Sequence, residues 1–372
     1  MAPQRHGPTP VPRPGPRPRP GILDIAPYVG GESQAEGAKR AIRLASNENP
    51  LGPSPKAREA YAAAGGELHR YPEGGAAALR GALAELHGLE ADRIVCGAGS
   101  DELISLLVRA YAGEGDEVLY SEHGFLMYPI AAKTAGATPV RAPESNLTAD
   151  VDALLSRTSA ATRLVFLANP NNPTGSYLAE SELRRLHAGL AEDCLLVIDA
   201  AYAEYMEAED YQAGDALVRE AGNVVMLRTF SKIYGLAALR LGWAYCPQPV
   251  AEVLNRVRGP FNVTQPALAA GLAAVGDQQH LAESRAHNSR CRAWFAARAA
   301  ELGIAVLPSS ANFLLLGFED AEDARSFLKR QGILTRQMTA YGLPNHLRVT
   351  IGTEEEMAAV AAALSEYLGE GG

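Results

Sequence analysis

The sequence predicts an α/β protein. A mostly parallel central sheet is covered by helices, and a smaller α+β domain follows. Three observations predict this. Short apolar runs alternate with amphipathic helical stretches over the first two thirds of the chain. The strand-like runs, such as Leu195-Leu196-Val197-Ile198, are apolar at every position, as strands buried on both faces are. Beyond about residue 250 the order changes to long helices, then short strands and helices in alternation.

The length of 372 residues suffices for one large or two medium domains. A hydrophobic content of 47% with 21% charged residues suits a soluble globular chain. No apolar run approaches the roughly 20 residues that span a bilayer. A net charge of −9 disfavours a generic nucleic-acid or anionic-membrane surface, so neither is expected as a partner. Cys96, Cys194, Cys246 and Cys291 lie far apart and form no Cys-x-x-Cys pair. That argues against a zinc site or a disulfide framework and fits a reducing cytoplasm. No metal is expected. The first twenty residues hold eight prolines, four arginines and no acid, and lack the apolar core of a secretory signal. Residues 1–20 are expected to form a disordered or polyproline-like arm.

Taken in order, Ile22 to Tyr28 is mildly apolar and interrupted by proline. Leu44 to Pro55 is too rich in Pro, Asn and Gly for regular structure and reads as a loop. Ser54 caps a helix that starts with Pro55 and runs to about Ala64. A loop at His69–Pro72 precedes an alanine-rich helix, Ala76 to Leu86. Arg93 to Cys96 is a short strand that feeds Gly97-Ala98-Gly99-Ser100 and then a helix. In that helix Leu103, Leu106, Leu107 and Ala110 share one face. Ser100 is the expected N-cap, and Asp101 and Glu102 suit the positive helix end. Further strands are expected at Glu117–Tyr120, Leu164–Leu167, Leu195–Asp199, Val224–Leu227 and Gly242–Tyr245. Helices are expected around Tyr128–Ala135, Ala149–Ser156 and Glu180–Leu190. The last third reads as helices Gln265–Val275 and His280–Leu302, then strands Ile304–Leu307, Phe313–Leu316 and Leu347–Ile351. Helices Glu322–Gln331 and Glu354–Leu368 alternate with those strands. There is no internal repeat.

The chemistry centres on the loop after Val224–Leu227. Lys232 sits there with no other lysine within twenty residues, a serine immediately before it and Arg240 eight residues later. Lysine forms a Schiff base with an aldehyde once burial or a neighbouring cation lowers its pKa. A hydroxyl and a guanidinium can hold a phosphate. Aldehyde plus phosphate describes pyridoxal phosphate, which also needs a carboxylate facing its ring nitrogen. A Ser-Lys pair alone is more often an ordinary loop, so the weight falls on the remaining parts. The Gly99–Ser100 turn, between strand and helix, presents free backbone N–H groups to a phosphate. Asn169-Pro170-Asn171-Asn172-Pro173-Thr174-Gly175 follows a strand, and its prolines and glycine fix an unusual loop in which Asn172 offers a donor. Asp199 ends the next strand and can pair with a protonated ring nitrogen, although alone it could equally cap a helix. Tyr202 can donate to the cofactor's phenolic oxygen. Each of these lies at or just past a predicted strand end, where parallel sheets bind ligands.

With these blocks on the page, the chain from about Ile25 to Leu368 resembles the fold-type I pyridoxal-phosphate-dependent aminotransferases. NPNNPTG and SKIYGLAALRLG resemble the class as a whole. SNENPLGPSP and YGLPNHLRVTIGTEEE resemble the subgroup that acts on histidinol phosphate, and RYPEG, DAAYAEY and ANFLLL fit the same pattern. The resemblance implies that Lys232 anchors the cofactor and shuttles the proton between the substrate's Cα and the cofactor's C4′. It implies that Asp199 faces the ring nitrogen, that Asn172 and Tyr202 bond the phenolic oxygen, and that Ser231, Arg240 and the Gly99–Ser100 backbone hold the phosphate. Phe125, in preference to Tyr128, would stack on the ring. Tyr71 would reach the phosphate of the other subunit, making a cytoplasmic homodimer with shared sites. Arg348, helped by Asn172, would grip the part common to all substrates, and Tyr28 and Arg336 would face a distal phosphate. Residues 46–255 would form the large domain, and residues 21–45 with 256–372 the small one. The implied reaction is a ping-pong transfer between L-glutamate/2-oxoglutarate and imidazole acetol phosphate/L-histidinol phosphate, both small molecules. Ala238 stands where the family often has glycine, and the Thr335–Met338 context departs from the common pattern. Rival readings are an aromatic amino acid aminotransferase and a threonine-phosphate decarboxylase. A regulator of the same fold would carry a fused DNA-binding domain, for which a twenty-residue arm is too short.

Overall fold

A computed structural model describes residues 16–32 and 41–370; most of the expected arm, residues 1–15, lies outside them. Seven strands form the central sheet: β1 (Ile94–Gly97), β2 (Glu117–Ser121), β3 (Thr138–Ala142), β4 (Thr162–Ala168), β5 (Leu195–Asp199), β6 (Val224–Thr229) and β7 (Gly242–Tyr245). Their spatial order is β1-β7-β6-β5-β4-β2-β3. Strands β3, β2, β4, β5 and β6 are parallel neighbours, and β7 alone runs antiparallel to the strands on either side of it. Strand β3 departs from expectation. Its Thr138, Pro139 and Arg141 lack the apolar run of a central strand, and it lies at the sheet edge, where the missing N–H of a proline is tolerated.

The doubly apolar strands divide their side chains between two cores. Leu196, Ile198, Val224 and Met226 join Leu79, Leu83 and Trp243 on one face. Leu195, Val197, Val225 and Leu227 join Leu103, Leu107 and Tyr128 on the other. That two-sided burial is why a strand can read as continuously apolar. Ser54 caps the helix Pro55–Ala64 through its Oγ, which accepts from Ala57 N at 3.1 Å. The helix after β1 begins at Ser100 itself, so Ser100 is not the cap. Gly99 takes that position with φ +88° and no side-chain bond. A turn that tight needs the left-handed backbone that glycine alone adopts freely. The helix Gln265–Val275 lies past residue 255, yet its Ala267, Ala270 and Ala274 share the core of Leu79 and Leu83.

A second, antiparallel sheet contains β8 (Ala305–Leu307), β9 (Phe313–Gly317), β10 (Arg336–Met338) and β11 (Leu343–Thr350) in the order β8-β9-β11-β10. Helices Gln278–Glu301, Ala321–Arg330 and Glu354–Glu370 cover it, over a core that includes Phe295, Leu316, Val349 and Leu364. Ile42–Arg43 pairs in parallel with Ile333–Leu334, which ties the segment before the helix Pro55–Ala64 to this second lobe. All four cysteines are free and buried. Among the described residues no helix is long and apolar enough to cross a membrane. His287, Cys291 and Glu354 bring ligand-type atoms within 4.8 Å of one another. However, His287 Nε2 already bonds Gly352 O at 2.9 Å, and Glu354 pairs with Arg290 at 3.3 Å.

Candidate active site

Register sets the floor of the site. Ala168 lies opposite Asp199, and Asp199 opposite Leu227, so the loops after β4, β5 and β6 leave the sheet side by side. Above those strand ends, between the two sheets, lies a cavity of about 330 Å³. Every residue singled out from the sequence lines it except Gly99 and Tyr71. Gly99 adjoins it: a Cβ there would sit 2.5 Å from Arg240 Nη2. Tyr71 is 82% exposed and stacks on Phe261 with ring centroids 4.6 Å apart, outside this chain's own cavity.

Asp199 is buried at the cavity floor. Its Oδ2 accepts from the Tyr128 hydroxyl at 2.9 Å, and its Oδ1 has no partner among the described residues. Burial pushes its carboxyl up to about 6, and the Tyr128 bond opposes that rise. A buried carboxylate oxygen without a partner is costly unless a cationic donor reaches it. Lys232 is half-buried in the cavity wall. Its Nζ is 3.5 Å from Ser46 O and 5.7 Å from the Tyr202 ring centre. Burial, then the like charge of Arg348, pulls its amine down to about 8. The buried Tyr202 hydroxyl accepts from Asn47 Nδ2 at 2.8 Å, and burial pushes it up to about 12.

One end of the cavity carries hydroxyl and guanidinium groups. Arg240 Nη1 donates to Ser231 Oγ at 3.3 Å, and Arg240 Nη2 reaches both oxygens of Asp101 at 2.9 Å. Arg240 has φ +52°, a left-handed backbone unusual for a long side chain. The other end carries Arg348, which is 6% exposed. Its Nη1 donates to Asn172 Oδ1, its Nη2 to Ala45 O at 2.9 Å, and its Nε has no partner among the described residues. Burial pulls this guanidinium below its usual range. Such a cation, bonded only to neutral groups, favours an incoming anion. Arg336 donates through Nη2 to Val29 O at 2.5 Å and lies 5.9 Å from the Tyr28 ring centre. Tyr28 meets Phe125 edge to face at 6.4 Å.

Two neighbours of the site were not assigned their roles from sequence. Tyr128, weighed only as a ring-stacking residue, bonds Asp199 instead. It lies three residues past Phe125, in the first turn of the helix Met127–Ala135, and the two rings meet edge to face at 5.9 Å. Asn47 reads from the sequence only as part of a loop, and its φ of +58° suits asparagine better than most residues.

This donor set fits pyridoxal phosphate. It combines an enclosed lysine of lowered pKa, a buried carboxylate oxygen awaiting a cation, and a glycine turn beside Ser231 and Arg240 that a Cβ would obstruct. The model of the family "Aminotransferase class I and II" matches residues 39–364. The chain is 60% identical over 353 residues to a histidinol-phosphate aminotransferase of Rhodospirillum centenum, covering 94% of this chain and 98% of that one. It is 57% identical over 359 residues to a protein of the same name from Rhodospirillum rubrum, covering 95% and 97%. A crystal structure of histidinol-phosphate aminotransferase from Sinorhizobium meliloti, in complex with pyridoxal-5'-phosphate, superposes with a TM-score of 0.86 at 30% identity, covering 96% and 98%.

Proposed function

The chain belongs to the class I and II aminotransferases, and from that premise we propose that it exchanges an amino group between L-glutamate/2-oxoglutarate and imidazole acetol phosphate/L-histidinol phosphate in histidine biosynthesis. The observation that carries this reading is the 60% identity, over nearly the whole of both chains, to a relative so named. It is a pyridoxal-phosphate-dependent transaminase.

When bound, the cofactor supplies an aldehyde that takes up the amino group and a ring that withdraws electrons from the reacting carbon. The chain does the rest. Lys232 is the covalent anchor, and once released from the cofactor its amine, whose proton affinity burial and Arg348 lower, serves as the base that takes the proton from the substrate's Cα. Asp199 Oδ1 holds the proton on the ring nitrogen, and Tyr128 keeps the carboxylate oriented. Asn172 and Tyr202 serve the phenolic oxygen, and Phe125 covers the ring. Ser231, Arg240 and the Gly99–Ser100 backbone serve the cofactor phosphate. Arg348, with Asn172 beside it, takes the carboxylate of glutamate in one half-reaction and the shared end of the other substrate in the next. Tyr28 and Arg336 face the distal phosphate, for which a guanidinium fork is suited. The enzyme works in the cytoplasm as a homodimer, with Tyr71 reaching the partner's site. Supporting this are four unpaired cysteines and an aromatic pair, Tyr71 and Phe261, left on the surface of the single chain. The division into a large domain (46–255) and a small one (21–45 with 256–372) belongs to the same reading; the pairing of Ile42–Arg43 with Ile333–Leu334 supports its amino-terminal boundary, while the helix Gln265–Val275 packs with the large domain.

The test is a single half-reaction of the cofactor-loaded enzyme with L-histidinol phosphate, L-phenylalanine or L-threonine phosphate, without keto acid. Histidinol phosphate is expected to convert the cofactor to its amine form much the fastest. Equal or faster conversion by phenylalanine would make the enzyme an aromatic aminotransferase. Carbon dioxide release from threonine phosphate would make it a decarboxylase. Lys232→Ala is expected to abolish multiple turnover, and full steady-state activity in that variant would sink the assignment.

A further inference from the structure

Asn47 occupies a singular place: it is 1% exposed, has a left-handed φ of +58°, and lies on the segment that joins the second lobe to the first helix. Two orientations of its side-chain amide fit the distances, and burial favours the one that leaves the spare proton on Tyr202, which lines the cavity, rather than on Thr350, which is buried outside it. The Asn47 main-chain N–H donates to Thr350 Oγ1 at 2.9 Å. With one lone pair so engaged, the Thr350 hydroxyl turns its single proton to Asn47 Oδ1 at 3.2 Å. That sets the side-chain amide with its oxygen toward Thr350 and its NH₂ toward Tyr202, whose hydroxyl oxygen accepts at 2.8 Å. The Asn47 carbonyl is itself held by Asn312 Nδ2 at 2.9 Å. A flipped amide would strand the Thr350 proton and draw the Tyr202 proton onto Oδ1.

A phenol that already accepts a bond keeps its own proton for another acceptor, and among the described residues no side chain takes it from Tyr202. Burial also keeps Tyr202 protonated at neutral pH. We infer that Asn47 is a positioning residue that holds the Tyr202 hydroxyl as a donor aimed into the cavity, toward the phenolic oxygen of the cofactor. The inference rests on the reading, given above, that Tyr202 serves that oxygen. It adds the group that decides which way the hydroxyl points, and it places the setting of that direction on Thr350, a residue of the second lobe two positions from Arg348.

The readout is the pH midpoint at which the visible absorption of the bound cofactor changes. A bond donated to an anionic oxygen favours the deprotonated form and lowers that midpoint, so losing the bond raises it. Tyr202→Phe is expected to raise it by about one pH unit or more. Asn47→Gly keeps the left-handed backbone and both main-chain bonds, and is expected to raise it by roughly half a unit to one unit. In the Tyr202→Phe background, Asn47→Gly should add no further shift. Thr350→Val frees the amide to turn and should raise the midpoint less, and it serves as the test should Asn47→Gly fail to fold. A residue that merely supports the fold would lower the melting temperature and leave the midpoint alone. An unchanged midpoint in the folded Asn47 or Thr350 variants, with Tyr202→Phe shifted, overturns the role of Asn47 and leaves that of Tyr202 intact. No shift in Tyr202→Phe itself overturns both.

Discussion

Asp199, in its proposed role beside the cofactor's ring nitrogen, is a burden to the empty fold and an asset to the loaded one. Its folded value of about 6 lies above the 3.8 of an ordinary aspartate, because burial penalises the charge. Between those two pH values the folded chain holds a proton that the unfolded chain has released. Stability of the cofactor-free protein therefore falls as pH rises through that window, and the loss persists above it. At about 1.4 kcal/mol per pH unit, the burden is roughly 3 kcal/mol. Asp199→Asn is expected to remove it while lowering transamination on the order of 100-fold or more, since an amide cannot hold the ring proton by charge. Urea unfolding of cofactor-free wild type and variant at pH 4.5 and 7 measures this directly. Parallel behaviour of the two proteins across that range would show that the burial penalty is not felt. The residues of this site differ in how they could be read. Lys232, Asp199 and Arg240 stand out because their side chains are rare or costly where they occur, and the local pattern locates them at strand ends. Asn47 carries no such mark. Its role exists only through Thr350 and Tyr202, both remote in sequence, and no local rule reports a contact of that kind.

At the level of elements, the turn after β1 depends on how closely β7 approaches it. A Cβ at Gly242 would lie 2.4 Å from Ser100 N and 2.7 Å from the carbonyl carbon of Gly99. Both are main-chain atoms that cannot swing aside, so the turn itself must move. Gly242→Ala is expected to destabilise the fold by about 1–3 kcal/mol and to weaken cofactor binding about tenfold or more. Gly81→Ala is the control: it sits in the exposed part of the helix Ala77–His87 with nothing within 4 Å of its Cβ, and should gain about 0.5–1 kcal/mol. Cofactor titration and thermal melts of the pair separate a local clash from a general dislike of alanine. If Gly242→Ala binds cofactor as wild type does, the close approach does not matter. The strands that two-sided burial marks, β4 to β7, were plain from their apolar runs. Strand β3, with its proline and arginine at the sheet edge, and the three-residue β10 were not, because edges and short pairings are decided by neighbours rather than by composition.

For the whole molecule, the proposed sharing of Tyr71 between subunits makes a sharp arithmetic prediction. Lys232→Ala and Tyr71→Ala proteins are each expected to be nearly inactive. Mixed and allowed to exchange subunits, they form hybrids in which one of the two sites has a native lysine and a native tyrosine. About a quarter of the wild-type activity should return. Additive residual activity, with no recovery on mixing, would mean that Tyr71 serves its own chain or none. The pairing of Ile42–Arg43 with Ile333–Leu334 has a further consequence, for a chain still being made. Synthesis runs from the amino terminus, and domains fold as their residues emerge. All seven strands of the central sheet, and the lysine after β6, leave the ribosome before Arg336 and Arg348 do. The early segment Ile42–Arg43 must wait for a partner strand near the other end of the chain. On the proposed roles, the growing polypeptide lays down its own share of the cradle for its vitamin-derived cofactor first, and adds its two substrate-facing arginines last.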